Sequence, residues 1–362
     1  MALSMAGTLS RWPRAAHQSA MIFSQVRCAS TVPHFKPTQS PELDQALDYY
    51  RQNLFIPFSL PKRQKQTVFQ EKHRKRLLDD PISFNISETE EYTLRPISLW
   101  EVRQKNKVNQ VLDMMIEAND FQNFGAFVRG MHNAGLRISS SRWEKLIRKI
   151  GAADQLHILL GCARRQSEIG LDLQQIGVLE SLFYQFHRMA AKADFKGEQV
   201  TKALHMARQT VDLIEFYGIQ NLEATSNKLS TLPASQPFVI ATLLELSAAR
   251  AIDEFGGKDQ DGEALKYVRK LLANWDLVDL KPSPEADMNQ WIGRTVSIHN
   301  GLKLSLSIQD LSLDKELQSR VKSHLTKTKN ALSQQLKNEL LEQKLNYNGK
   351  LDLELAKNLV SK

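Results

Sequence analysis

The sequence predicts an all-α protein: a helix-turn-helix repeat body, α-solenoid-like, with an extended N-terminal arm and a long C-terminal amphipathic helix. Three observations carry that expectation. Gly and Pro number only 16 and 12 in 362 residues, while Leu, Lys, Gln, Ala and Glu dominate the second half, a balance that favours helices over a many-stranded sheet. Apolar residues recur at helical spacing from Leu99 to about Tyr217. Within that stretch two segments end on the same Gly-Leu-charged turn, 35 positions apart.

In chain order, the first acidic residue is Glu42, and Arg11, Arg14, Arg27 and Lys36 precede it among Ser, Ala, Met and Thr. A basic, Ser-rich, acid-free opening resembles a mitochondrial transit peptide. The membrane potential draws a positive amphipathic segment inward, and a carboxylate there would oppose the pull. Arg27-Cys28-Ala29-Ser30 resembles an arginine-minus-three processing context, which sets the expected transit peptide at 1–29 and the expected address as the matrix. A secretory signal needs a continuous apolar core, and Arg11, Pro13, Arg14 and His17 interrupt this one.

Composition narrows the class further. Hydrophobic residues make up 42% and charged residues 24%, enough for a real core in a globular chain. No run approaches the roughly 18 apolar residues of a membrane span, so a transmembrane protein is not expected. Formal net charge is +8; losing residues 1–29 removes three arginines and no acid, leaving about +5. Such a surplus permits binding to RNA or an anionic surface without proving either. The only cysteines are Cys28 and Cys162. One thiol left after processing excludes an internal disulfide or a cysteine-based zinc site, and Cys162 in a helical run reads as a buried inert thiol.

Residues 30–98 read as an extended arm. Residues 30–60 are rich in Pro and aromatics (Pro33, Pro37, Pro41, Tyr49, Tyr50, Phe55, Phe58), Pro41 with Glu42 and Asp44 starts one short helix to about Gln52, and Pro57 and Pro61 bar long helices beyond Leu54. Residues 82–97 look β-like or irregular. The body follows at 99–217. Phe127 to Arg137 aligns with Cys162 to Asp172, so that Gly135-Leu136-Arg137 matches Gly170-Leu171-Asp172. A glycine just past a helix C-terminus is the usual left-handed cap, and a period of 34–35 belongs to helix-turn-helix solenoids.

These turns resemble degenerate pentatricopeptide or tetratricopeptide units, whose second helix runs into a Met-x-x-x-Gly turn such as Met131 to Gly135. The resemblance implies unit one at about 101–137, unit two at 138–172 and a looser third at 173–217, in which His205 stands where the next glycine would fall. Unit two shows the physics: Trp143, Leu146, Ile147 and Ile150 on one helix face, Arg142, Lys145 and Lys149 on another. Neither helix pair buries its apolar face alone, so the units must stack.

A polar break at 221–236 precedes an extension over 218–312, with a helix pair at about 237–255 and 262–275 joined by Gly256-Gly257. In 285–312 the alternation Leu302, Leu304, Leu306, Ile308 fits a strand as well as a helix. The last element, over 313–362, is one long amphipathic helix at about 313–345, with Leu313, Leu317, Val321 and Leu325 stepping by four and Lys and Glu on the other faces. It either packs back on the body or projects toward a partner.

Catalytic grammar is lacking: no phosphate loop, no His-Glu-x-x-His, and His132, His157, His187 and His205 scattered over different helices. An enzyme is not expected, nor a cofactor, a metal or a small-molecule substrate. The basic run at 62–76 is the binding candidate, with Lys62, Arg63, Lys65, Lys72, Arg74, Lys75 and Arg76 against a single Glu71, and Asp79-Asp80 placed to neutralise it. Dense Lys and Arg suit RNA phosphates, where each neutralised charge releases a counterion. Arg142, Lys145, Lys149, Arg164 and Arg165 offer to extend that surface. Charged arms entering structured RNA are a habit of ribosomal proteins. That resemblance implies a structural component of a mitochondrial ribosome, of fungal type, whose partners are mitochondrial rRNA and neighbouring ribosomal proteins. A pentatricopeptide-like RNA-processing or translation factor and a helical scaffold for respiratory-complex assembly remain alternatives.

Overall fold

The structure, a computed structural model, describes residues 32–86, 90–222, 233–282, 287–337, 345 and 347–361. The expected transit peptide lies outside them. Two compact units divide the chain, 1–137 and 138–362. Among the described residues one two-stranded hairpin is the only sheet, and the remaining regular elements are helical.

In the first unit, helix α1 (Pro41–Tyr50) begins as its sequence dictates. The Ser40 hydroxyl accepts from the Leu43 amide at 3.3 Å, proline takes the first turn, and Glu42 and Asp44 sit at the positive end of the helix. The helix does not stop at Gln52. It widens into a π-turn (Arg51–Phe55) and continues as α2 (Ile56–Ser59). Pro57 explains the widening: it has no amide hydrogen, and its ring would collide with a carbonyl four residues back in a tight turn. The Gln52 carbonyl, left without the bond Pro57 cannot give, accepts instead from the Tyr92 hydroxyl at 2.8 Å.

The expected extended arm over 30–98 is therefore corrected. Helices α3 (Lys62–Phe69) and α4 (Arg74–Asp79) follow α2, and extended chain is confined to the stretch before Pro41 and to the hairpin region. Pro57 and Pro61 misled because they too stand at helix starts, Pro57 in a first turn and Pro61 at the cap of α3, where no amide donor is needed. The region read as β-like holds β1 (Ser83–Asn85) antiparallel to β2 (Glu91–Thr93), with Phe84 opposite Tyr92. Helices α5 (Leu99–Val102), α6 (Lys105–Glu117) and α7 (Phe124–Asn133) complete the unit.

An aromatic cluster holds these pieces together. Phe127 of α7 meets Phe55 at 5.3 Å, Tyr50 at 5.9 Å and Phe35 at 6.1 Å between ring centroids; such pairs add about 0.5–1.5 kcal/mol each beyond burial. Gly130 makes room, since a Cβ there would lie 3.0 Å from the Phe55 ring. The stretch before α1 is tied down by amide mimicry: Asn123 accepts from the Lys36 amide and donates to the Lys36 carbonyl, both at 2.8 Å.

In the second unit, α8 (Ser140–Ala152) buries Trp143, Leu146, Ile147 and Ile150, the stripe its spacing predicts. The expected single second helix is instead two, α9 (Leu156–Ala163) and α10 (Gln166–Ile169), interrupted at Arg164-Arg165. Left-handed residues close the turns: Asn119 (φ 51°) after α6, Gly135 (φ 74°) after α7, Asp154 (φ 57°) after α8 and Gly170 (φ 80°) after α10. Long helices α11 (Ile176–Lys192) and α12 (Glu198–Leu222) follow. Then come α13 (Pro237–Phe255) and α14 (Glu263–Ala273), joined through Gly256 and Gly257 as expected.

The ambiguous segment 285–312 is resolved as helix: α15 (Met288–Ser305), then the short α16 (Gln309–Leu313). Gly301 does not begin a strand; it is where α15 touches α13. A Cβ there would stand 3.1 Å from the Ala241 carbonyl oxygen and 3.3 Å from the Glu245 nitrogen. The C-terminal segment is two helices rather than one, α17 (Lys315–Leu336) and α18 (Tyr347–Ser361). Asp314 caps α17 by accepting from the Leu317 amide at 3.0 Å. Leu313, expected in the seam, therefore precedes the helix and is 83% exposed. Residues 338–344 of the expected helix lie outside the described residues. Both helices pack back, sharing a core with Trp291, Ile292 and Val296 through Leu332, Leu345, Leu353 and Ala356.

Two expectations follow for stability. Trp143 is 2% exposed, so Trp143→Ala should cost about 3–5 kcal/mol in chemical denaturation; an unmoved midpoint would refute its role as core. The second concerns His299, whose Nδ1 meets the Thr328 hydroxyl at 2.9 Å. That hydroxyl donates to the Leu325 carbonyl, so the ring nitrogen is the donor. Burial, helped by the charges of Lys303 and Lys329, pushes its pKa down to about 4. The unfolded chain then takes up this proton first, and stability falls as pH drops from about 6.5 toward 4, by about 3 kcal/mol for this group. Denaturation midpoints measured against pH should fall less steeply in that window for His299→Gln than for the natural protein.

Candidate nucleic-acid interface

The basic run is a helical platform. Val68 of α3 and Leu77 of α4 point inward and hold it, while Lys62, Arg63, Lys72, Arg74, Lys75 and Arg76 are exposed and Lys65 is half-buried. Its one ion pair among the described residues joins Arg74 to Glu71 at 3.3 Å. Asp79 and Asp80 form none with the run, so the expected neutralisation does not occur there. Lys62, Arg63, Lys72, Lys75 and Arg76 are left facing solvent with their charge uncompensated by an ion pair among the described residues.

Phe58 anchors the rim. Its ring lies 5.1 Å from Phe69 and carries two cations, the Lys65 ammonium at 5.2 Å and the Arg103 guanidinium at 5.6 Å. The Ile97 amide donates to the Val68 carbonyl at 3.1 Å. Between those two fastenings sits Trp100 on the single-turn helix α5, 76% exposed. Sequence reasoning missed it, because Leu99-Trp100 after Pro96 reads as the apolar start of a helix. The signal available was the brevity of that helix, too short to bury a tryptophan.

The other sequence candidates lie in the second unit. Lys145 is exposed on α8, whereas Arg142 and Lys149 beside it are half-buried and already engaged by neighbours. Arg164 donates to the Gln209 side chain at 2.7 Å and Arg165 is exposed.

Titratable chemistry is concentrated inside the second unit. The His187 Nδ1 lies 2.6 Å from one Glu245 oxygen, and the Asn300 amide donates to the other at 2.6 Å. Burial favours neutral His187, but the Glu245 carboxylate outweighs it and the pKa rises. Both side chains are sealed, at 1% and 0% exposure, so this acid-base pair is beyond the reach of any substrate. The Cys162 thiol is also buried, its pKa pushed up to about 12 by desolvation, which leaves it inert. No helix among the described residues is long and apolar enough to cross a membrane.

The described residues thus set a sealed His187–Glu245 pair apart from the exposed cations of α3 and α4, a surface suited to binding. The family model of mitochondrial ribosomal protein mS27 matches residues 21–356, and the chain belongs to that family. A relative, small ribosomal subunit protein mS27 of Neurospora crassa, is 26% identical over 278 residues, covering 72% of this chain and 70% of its own length. The family places the protein in the mitochondrial matrix, the address expected from the acid-free N-terminal segment.

Proposed function

We propose that the chain is a structural, RNA-contacting component of the small subunit of the mitochondrial ribosome and supports mitochondrial translation there. Its partners are the subunit's rRNA and neighbouring ribosomal proteins. The observation that carries this reading is the platform of α3 and α4, whose basic side chains stand on a folded base with a single ion pair, Arg74 to Glu71, among the described residues. Phosphates supply the missing counter-charge, and Trp100 beside them offers a face for an unpaired base. On this reading Lys62, Arg63, Lys65, Lys72, Arg74, Lys75 and Arg76 contact RNA. Lys145 is a further contact, with Arg142 and Lys149 contributing from their partly covered positions. The name of the Neurospora crassa relative supports assignment to the small subunit.

The repeat reading enters here as well. Asn119 and Asp154 close the first helix of each pair, and Gly135 and Gly170 close the second. Both pairs are separated by 35 positions, so two turns keep the same period, which supports degenerate pentatricopeptide- or tetratricopeptide-like units over 101–172. The next helices, of 17 and 25 residues, are too long to continue it. Two units are too few for a base-per-repeat code, so contact falls on backbone and shape.

Changing Lys72, Arg74, Lys75 and Arg76 together to Gln should weaken association with the small subunit and its rRNA. The slope of log K against log salt should become shallower, by about 0.7–0.9 for each phosphate no longer neutralised. Sucrose-gradient sedimentation of mitochondrial lysate reads the first effect and RNA titration at several salt concentrations the second. Natural protein that runs free of the small subunit at low salt would sink the ribosomal reading. An unchanged slope in the variant would reduce the run to a solvated face.

A further inference from the structure

Helix α17 carries a second basic surface with a more defined pattern than the run at 62–76. Lys315, Lys322 and Lys329 form one row along it, and Arg320 and Lys327 form another, each stepping by seven residues. Seven residues are two turns, about 10.5 Å. Between the rows runs a strip of short polar side chains, Ser319, Ser323, Thr326 and Asn330. These strip residues and the outer cations face solvent along the helix. Glu316 is the only acid from Lys315 to Lys337, and among the described residues none of the five cations is in an ion pair; Lys322 reaches only the Gln318 side chain at 3.4 Å.

The helix cannot roll to hide this face. Leu317, Val321, Thr328 and Leu332 are buried on its opposite side. Thr328 is bonded to His299, and His324 packs against Trp275, their rings tilted by 40° with centroids 4.0 Å apart. Folding thus fixes the backbone positions from which the cations project, and only their side chains remain to be ordered on binding.

We propose that α17 docks on double-helical RNA along its minor groove. The two rows reach the phosphates of opposite strands and the Ser, Thr and Asn strip meets the 2′-hydroxyls. This rests on the RNA-contacting reading above and assigns it a second surface and a ligand class. The A-form minor groove is wide and shallow and displays those hydroxyls, and a helix with a flat polar crest between two cationic edges matches it. Other anionic partners fit less well. A membrane-surface helix turns an apolar face outward, whereas the apolar side of α17 is in the core. Protein interfaces centre on apolar or aromatic side chains and single strands stack on aromatics, and the strip holds neither.

The test uses the full chain with Arg320, Lys322, Lys327 and Lys329 changed to Gln, titrated by fluorescence anisotropy against an RNA hairpin duplex, the same sequence as DNA, and an RNA single strand. None of the four residues is buried, so the thermal midpoint should hold. Affinity for the RNA duplex should fall at least tenfold, with a salt slope shallower by about 0.9 for each phosphate no longer neutralised. Ser319→Ala with Ser323→Ala should keep the salt slope and narrow the preference for RNA over DNA. Unchanged duplex binding in the Gln variant would overturn the proposal. So would an equal loss on single-stranded RNA, or a loss seen only on phosphatidylserine-containing vesicles. The Gln variant of the run at 62–76, titrated in parallel, separates the two readings. Loss there alone leaves RNA contact standing and removes α17, whereas no loss in either variant removes both.

Discussion

Everything in the second unit follows from the close approach of α13 and α15 at Gly301. No side chain fits there, because its first carbon would press on the Ala241 carbonyl and the Glu245 amide. Two helices at that separation are enclosed by their neighbours on nearly every side. From Pro237 to Ala249, α13 has no exposed residue, and α15 buries its length from Trp291 to Leu302 except at Arg294. Helices enclosed in this way cannot leave a polar side chain to water. Glu245 would cost several kcal/mol if unpaired, and its two oxygens are taken by His187, Asn300 and, at 3.4 Å, Ser297.

That requirement propagates outward. His187 belongs to α11, so satisfying Glu245 fixes the rotation of α11 against α13. One turn earlier on α11 the Tyr184 hydroxyl donates to Asp352, which draws α18 onto the same centre. Apolar packing alone tolerates sliding, because most hydrophobic contacts are interchangeable. Hydrogen bonds between single atoms are not, and here they select one register for α11, α13, α15 and α18. A buried ionic cluster of this kind need not raise stability over an apolar replacement. Its contribution is to hold the helices, and with them the base of α17, in one arrangement.

What the sequence revealed follows the same physics. Trp143, Leu146, Ile147 and Ile150 were legible because α8 has a wet side, and a wet side leaves a period of 3.6 in the pattern. Helix α15 has none, so Thr295, Ser297, His299 and Asn300 appear among its apolar residues without marking a surface, and the segment fitted a strand as well as a helix. Pro57 and Pro61 were read as barriers when they stand at helix starts, as Pro41 does, a distinction that depends on position within the first turn. Asn119 and Asp154 escaped notice as left-handed caps because glycine is the usual occupant, although asparagine and aspartate tolerate that conformation. Of the candidate interface, the cations at 62–76 were visible as composition. Trp100 and the twin rows of α17 were not, since both require knowing which side of a helix is covered.

Burial also changes what the net charge means. Desolvation raises the pKa of Glu180 and of Asp352, and Glu245 is matched within the core by His187. These acids count fully in the formal total of +8, yet little of their charge reaches the solvent. The exposed helices show the reverse: α3, α4 and α17 together carry many cations and few acids. The charge these helices offer to an approaching polyanion is therefore more positive than composition implies. Charge held on such elements discriminates by spacing as well as by sign.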